Sequence, residues 1–385
     1  MKLRTGRFAH LSVYVAALSI AILLGASPGF SGAAGGPFLD RFTSVDTVAS
    51  TVPFNGDVNP YGIALILHDA GRLRQGSYLV SNFNNAANLQ GTGTSIVQIS
   101  PGGETSLFAQ IDARRLGGHC PGGVGLTTAL SILHGGWVIV GSLPSPSGAA
   151  SSAMAGCLIV LNSRGEVVET FAGDGINGPW DMTAFEDRRG AWLFVTNVLN
   201  GNVTSGTPHR VDEGTVLRIR VELPTTAGGI PRRISTTVIG SGFGETADPN
   251  ALVIGPTGVG LSFDGRPGGT LYVADALSNR IVAIDGALTR GVSAGQGRIV
   301  SSAGSLAGPL GLVIAPNGDI LVVNSANGNI VEVTPLGQQV AVKTIDTVTG
   351  AGSLFGLAVS PNDNGIYFVD DGDNTLKLFT GPPAP

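Results

Sequence analysis

Charge is scarce in this chain, with 22 Lys and Arg and 27 Asp and Glu among 385 residues, and no extended basic run occurs. That argues against a nucleic-acid partner, because gripping a phosphate backbone takes clustered Lys and Arg. Long apolar runs are also missing. The apolar run near the N-terminus, Leu11 to Leu24, carries no charge and is 14 residues, short of the roughly 20 that a spanning helix needs. No window after residue 25 carries a sustained helical period, which removes helical and α/β folds. Cysteine is limited to Cys120 and Cys157.

The first residues read as an export signal: basic Lys2, Arg4 and Arg7, then the apolar run, then small residues. Ser31-Gly32-Ala33 is one cleavage site and Leu24-Gly25-Ala26 another. No cysteine lies near either, so a lipoprotein anchor is not expected. Losing residues 1–33 removes three basic residues and moves the net charge from −5 to −8. The mature protein is then periplasmic or secreted, has no membrane span and is monomeric. In such an oxidising compartment the two cysteines are expected to pair. Residues 34–44 read as a flexible segment, 45–380 as the folded domain and 381–385 as a tail.

What the chain does have is glycine, 59 residues of it, spread among short Val/Ile/Leu runs. Glycine supplies the φ > 0 conformations of tight turns, so many short strands are expected. The strands recur as a repeat. Its starts are NPYG (59–62), CPGG (120–123), GPWD (178–181), GPTG (255–258), GPLG (308–311) and SLFG (353–356). Each start leads into an apolar strand, then a second and a third, and in five of the six a more polar fourth. Four strands per unit at this period is the signature of a propeller blade. The sixth unit has only three strands. A run at 45–53 can supply the missing one, closing the ring and covering two edges that would otherwise pair with other chains. The expected fold is all-β: a six-bladed β-propeller of four-stranded antiparallel blades, its last blade closed by an N-terminal strand.

The P-x-G-hydrophobic start followed by YVAD…NRI (272–281) resembles the NHL-repeat family, over residues 46–380. That resemblance implies the propeller fold but no single activity. Relatives include peptide- and protein-binding modules, amidating lyases, and the neighbouring gluconolactonase-type and streptogramin-lyase propellers.

Strand alternation sorts the loops by face. Those preceding each first strand, and those between second and third strands, share one face. The long ones (83–93, 112–120, 143–156, 199–213 and 241–254) all fall there, so blades 1 to 4 carry the decoration. Cys120 and Cys157 fall on that face and are expected to form a disulfide pinning the 143–156 loop beside His119. His68 and His134 fall in turns on the opposite face. The polar residue closing each second strand (Asn82, Ser142, Asn197, Asp275, Asn324, Asp370) reads as a turn-fixing group.

Asp181 stands out. The corresponding positions are read as Gly62, Gly123, Gly258, Gly311 and Gly356, where inner strands crowd the channel. A carboxylate beside Trp180 either binds a metal or polar ligand, or accepts backbone N–H bonds from a neighbouring blade. Candidate ligand-binding residues are Asp181, Trp180, His119, Asn197, His209, Glu245 and Asp248. Asp181, Glu245, Asp248 and Asn250 offer oxygen donors for Ca²⁺, and the two histidines with acids suit Zn²⁺. In the gluconolactonase-type relatives, the resemblance implies, a Glu/Asn/Asp set holds a divalent metal in the channel. Three readings follow: a binding module offering its decorated face to a small ligand, glycan or protein; a metal-dependent lactonase-like hydrolase or lyase; or a structural protein of the envelope.

Overall fold

The structure, a computed structural model, describes residues 36–116, 118–188, 190–226, 228–263, 265–347 and 352–382. The expected signal segment 1–33 lies outside them. Six antiparallel sheets, each a meander from an inner to an outer strand, stand around a central channel. The inner strands are Val58–Leu65, Leu126–Leu133, Gly178–Asp187, Pro256–Ser262, Pro309–Ile314 and Leu354–Val359. The fold is a six-bladed β-propeller with almost no helix. Alternating Val, Ile and Leu on the middle strands pack blade against blade. Leu79 and Ile96 of blade 1, for example, meet Val138 and Ile159 of blade 2, all four fully buried.

The ring closes through the N-terminus. Ser44–Ser50 pairs antiparallel with Thr375–Thr380 and becomes the outer strand of blade 6. Within the stretch expected to be flexible, Phe38–Arg41 instead form a 3-10 turn, with Phe38, Leu39 and Phe42 buried. The N–H groups of Phe38 and Leu39 donate to the buried Glu332 carboxylate at 2.7 and 2.8 Å. Phe42 packs edge-on against Phe38 and Phe379. Small residues on either side masked three anchors that have apolar pockets to fill.

Two readings of the repeat change. The proline opening four of the blades lies opposite the polar residue closing the second strand: Pro60 with Asn82, Pro179 with Asn197, Pro256 with Asp275 and Pro309 with Asn324. In blade 2 the residue opposite Ser142 is Leu126, not the proline of CPGG. Counting two residues on from Leu126 gives Thr128, which lines the channel cavity, rather than Gly123. The CPGG stretch belongs to the loop before the strand, and a bulge between Leu126 and Leu130 absorbs the offset. In blade 3, residues 241–254 are not a loop. The outer strand runs from Arg232 to Asp248 and turns back through Leu252–Ile254, making a five-stranded sheet. Gly242, at φ 79°, and several bulges let that strand bend, so its glycines read as a loop.

The strand-closing polar residues are all fully buried. Most of them hold the segment leading into their own blade rather than the turn that follows. Asn197 Oδ1 accepts from Asn177 and Gly178 N–H, Asn324 Oδ1 from Ala307 N–H, and Ser142 Oγ from Gly125 N–H. Asp370, which takes Gly372 N–H and the Lys377 ammonium, keeps the expected two-residue pattern.

Candidate functional site

One residue past each blade-opening position, a ring of side chains fills the channel near the decorated face. Tyr61, Trp180 and Phe355 stack across it, with ring centroids 3.8 Å apart for Tyr61–Phe355 and 6.1 Å for Trp180–Phe355. Aromatic faces from three blades thus form a plug that closes the channel. Over the plug passes the tip of the blade 3 hairpin. Tyr61 donates its hydroxyl to the Asn250 carbonyl at 3.0 Å. Gln90, from the long loop of blade 1, donates to Pro249 O and accepts from Leu252 N–H. Ser145 N–H bonds Gly91 O. Loops of blades 1, 2 and 3 are thereby stapled into one canopy.

Beside this strap lies a pocket of about 250 Å³ whose lining is almost wholly amide and carboxyl: Asn59, Asn84, Asn88, Gln90, Asn250 and Asp371. Blade 1 contributes four of these, the strap one and blade 6 one. Asn84 donates to Asn88 Oδ1 at 2.7 Å, while its own buried Oδ1 has no hydrogen-bond partner. Asn59 and Asn88 sit at φ 60° and 56°, left-handed conformations that asparagine tolerates better than most residues. Burial, aided by the negative charges of Asp370 and Asp346, pushes the Asp371 carboxyl up to about 8. At neutral pH it is mainly protonated, so the pocket is lined by uncharged donors and acceptors.

The residues singled out in the sequence do not converge on one centre. Asn250 lines the polar pocket, and Asp248 lines an adjacent one of about 190 Å³, where it also accepts Asn250 N–H at 2.7 Å. Trp180 is in the plug. Asn197 and Glu245 belong to one buried network: Glu245 accepts from Asn200 N–H and Nδ2, and Asn197 Nδ2 donates to Asn200 Oδ1. Burial raises Glu245 to about 7. His209 is half-buried, its ring nitrogens near Thr207 O and Asn202 Oδ1. His119 is exposed. Cys120 and Cys157 form the expected disulfide, with Cα atoms 5.4 Å apart. Among the described residues no group of three or more His, Cys, Asp or Glu gathers with metal-ligand geometry. The oxygen set proposed for Ca²⁺ is dispersed among separate hydrogen-bond networks, and the set proposed for Zn²⁺ likewise.

Asp181 has its own place. Its Oδ1 accepts Met182 N–H at 2.8 Å and its Oδ2 accepts Val259 N–H of blade 4 at 3.2 Å. Of the two roles open to it, the structure thus shows the acceptor of a neighbouring blade's N–H. The glycines at the equivalent positions have no such room. A Cβ on Gly258, Gly311 or Gly356 would come within 2.1, 1.9 or 2.6 Å of a carbonyl on the next inner strand. Asp181 also lines a cavity of about 370 Å³ below the plug. That cavity is bounded by the latter halves of the inner strands and opens away from the decorated face. Desolvation pushes its carboxyl to about 7.

Sequence reasoning passed over Asn59, Asn84, Asn88, Gln90 and Asp371. The available signal was composition. The blade 1 loop opens with NFNNAANLQ (82–90), and an unexplained second acid follows Asp370.

No protein-family model and no curated protein sequence matches this chain. Solved structures do. A gluconolactonase from Xanthomonas campestris is 14% identical, with 90% of this chain and 95% of that one covered, at TM-score 0.51. A second, putative gluconolactonase is 14% identical over 89% and 94%, at TM-score 0.53. The PQQ-bound aldose sugar dehydrogenase of Streptomyces coelicolor is 14% identical over 87% and 98%, at TM-score 0.51. The chain shares their propeller fold. At that identity the likeness carries fold alone.

Proposed function

We propose that this is an exported binding module whose decorated face takes a small, uncharged, hydroxyl-rich ligand of the sugar class. The observation that carries the reading is the polar pocket beside the Tyr61–Asn250 strap. Amide groups offer paired donors and acceptors, and the single carboxyl is held neutral, so the pocket suits hydroxyls better than ions. At about 250 Å³ it holds one ring-sized group. The disulfide supports export, as does the signal-like N-terminus. Among the described residues, no helix is long and apolar enough to cross a membrane. Calorimetric titration with neutral monosaccharides and disaccharides tests the reading. One class should bind, and Asn88→Ala should weaken it about tenfold, the loss of one or two hydrogen bonds to ligand. If no neutral saccharide binds the folded protein, the reading fails.

A second reading, a lactonase-like hydrolase, draws on the same carboxyl. A proton held by Asp371 near neutral pH suits general acid catalysis. Turnover of simple sugar lactones, abolished by Asp371→Asn with saccharide binding retained, would favour it.

A further inference from the structure

The aromatic plug divides the channel, and the space below it is unlike the polar pocket above. Its walls are aliphatic: Ile63, Leu130, Met182, Val259, Leu312 and Leu357 come from the six inner strands. Two polar groups interrupt them near the plug, both at the ring position that is glycine in the other four blades. Asp181 and Thr128 stand on adjacent blades, 8% and 4% exposed. Thr128 Oγ1 is buried and has no hydrogen-bond partner. Each Asp181 oxygen accepts one backbone N–H, which leaves lone pairs free on both. Ser131 and Thr183 also line the cavity, and none of its lining residues other than Asp181 is titratable or charged.

We propose that this cavity is a second binding site, separate from the decorated face, for a small organic ammonium ion. The apolar body of the guest lies on the aliphatic walls and its nitrogen donates to Asp181 and Thr128. A purely apolar guest would leave the Thr128 hydroxyl without a partner and the remaining lone pairs of Asp181 unused, and an unpaired buried group costs about 1–3 kcal/mol. A bare metal ion would find one carboxylate and a few hydroxyls where Ca²⁺ takes six to eight oxygens. A guest with one cationic N–H donor head and an apolar body satisfies both groups, and at about 370 Å³ the cavity holds a chain of several carbons or one aromatic ring. Burial without a cation is what raises the carboxyl to about 7, and a bound ammonium opposes that shift. Binding therefore expels the Asp181 proton.

The test is calorimetric titration of the mature protein with n-hexylammonium, and with n-hexanol as the neutral isostere. From about pH 5.5 to about pH 8.5 the ionised fraction of a carboxyl titrating near 7 rises about thirtyfold, and hexylammonium affinity should rise with it. Near pH 7, titrations in buffers of different ionisation enthalpy should show about half a proton released per ligand. Asp181→Asn should weaken hexylammonium about tenfold or more and Thr128→Val a few-fold, with hexanol little changed. Asp181→Asn turns one acceptor into a donor facing a backbone N–H, so the pH and proton-release measurements on the unmutated protein stand independently of that variant. The proposal is overturned if hexylammonium shows no saturable binding at about pH 8.5, if its affinity ignores pH, or if hexanol binds as tightly.

Discussion

Tyr61 on the inner strand of blade 1 donates its hydroxyl to the Asn250 carbonyl at the tip of the blade 3 hairpin, across the channel mouth. The two residues are 189 positions apart in sequence. Their contact holds the roof of the polar pocket over the aromatic plug. Tyr61→Phe keeps the stacking on Phe355 and removes this bond. It should lower stability by about 1 kcal/mol, the net worth of one hydrogen bond. Limited proteolysis should then cut faster at 248–252 than in the parent, while the disulfide region stays resistant. Equal cutting rates would mean that Gln90 alone holds the strap.

The carboxyls of Asp181, Glu245 and Asp371 are raised by burial to about 7, 7 and 8. Each binds its proton more tightly folded than unfolded, so the folded state holds more protons between about pH 4 and pH 8. Stability should therefore be greatest at the acid end of that window and fall as pH rises through it. Asp181 alone would contribute on the order of 4 kcal/mol. Melting curves from about pH 5 to about pH 8 check the sign, and Asp371→Asn should flatten the upper part of the slope. A melting temperature that climbs over the range contradicts these titrations.

Reducing the Cys120–Cys157 disulfide frees a loop of 37 residues. The loop-entropy relation puts the loss at about 3–4 kcal/mol. Denaturant midpoints with and without reductant measure it. The cross-link joins the segment before the blade 2 inner strand to the start of its third strand, so hydrogen exchange should rise first in 120–126 and 143–157.

Deleting the outer strand Ser44–Ser50 together with its anchor, Phe38–Phe42, would leave Thr375–Thr380 as an open edge and empty three apolar pockets. The shortened chain should aggregate on size-exclusion chromatography, because an unpaired strand edge is a template for another chain. Glu332→Gln is the milder version. It keeps one acceptor for the Phe38 and Leu39 N–H groups and loses the charge. Its cost should be about 1–2 kcal/mol, the margin of charged over neutral hydrogen bonds.

The architecture was legible because hydrophobic alternation and the recurring Pro-x-Gly start are local signals. Four strands per unit, six units and closure by the N-terminal strand follow from period and edge arguments alone. The site was less legible because it rests on register. Placing CPGG at the head of blade 2 hid Thr128, which lines the channel cavity together with Asp181, since the strand begins only at Leu126. Glu245 and Asp248 are expected on the decorated face, but sequence does not say that Asn200 claims the first and that the second caps its own turn. Asp371 was missed because its carboxyl acquires its character from burial and from neighbouring acids. Asp370 is adjacent in the chain, but Asp346 joins it only through the fold.

The most direct test of the central claim is to map where a neutral saccharide binds. Asparagine side-chain amides of the labelled protein can be followed by NMR as a bound saccharide is titrated in. The account predicts shifts at Asn59, Asn84, Asn88 and Asn250, with the channel-lining Thr128 and Met182 amides unmoved. Shifts confined to the channel, or none at the four asparagines while the sugar binds, would contradict it.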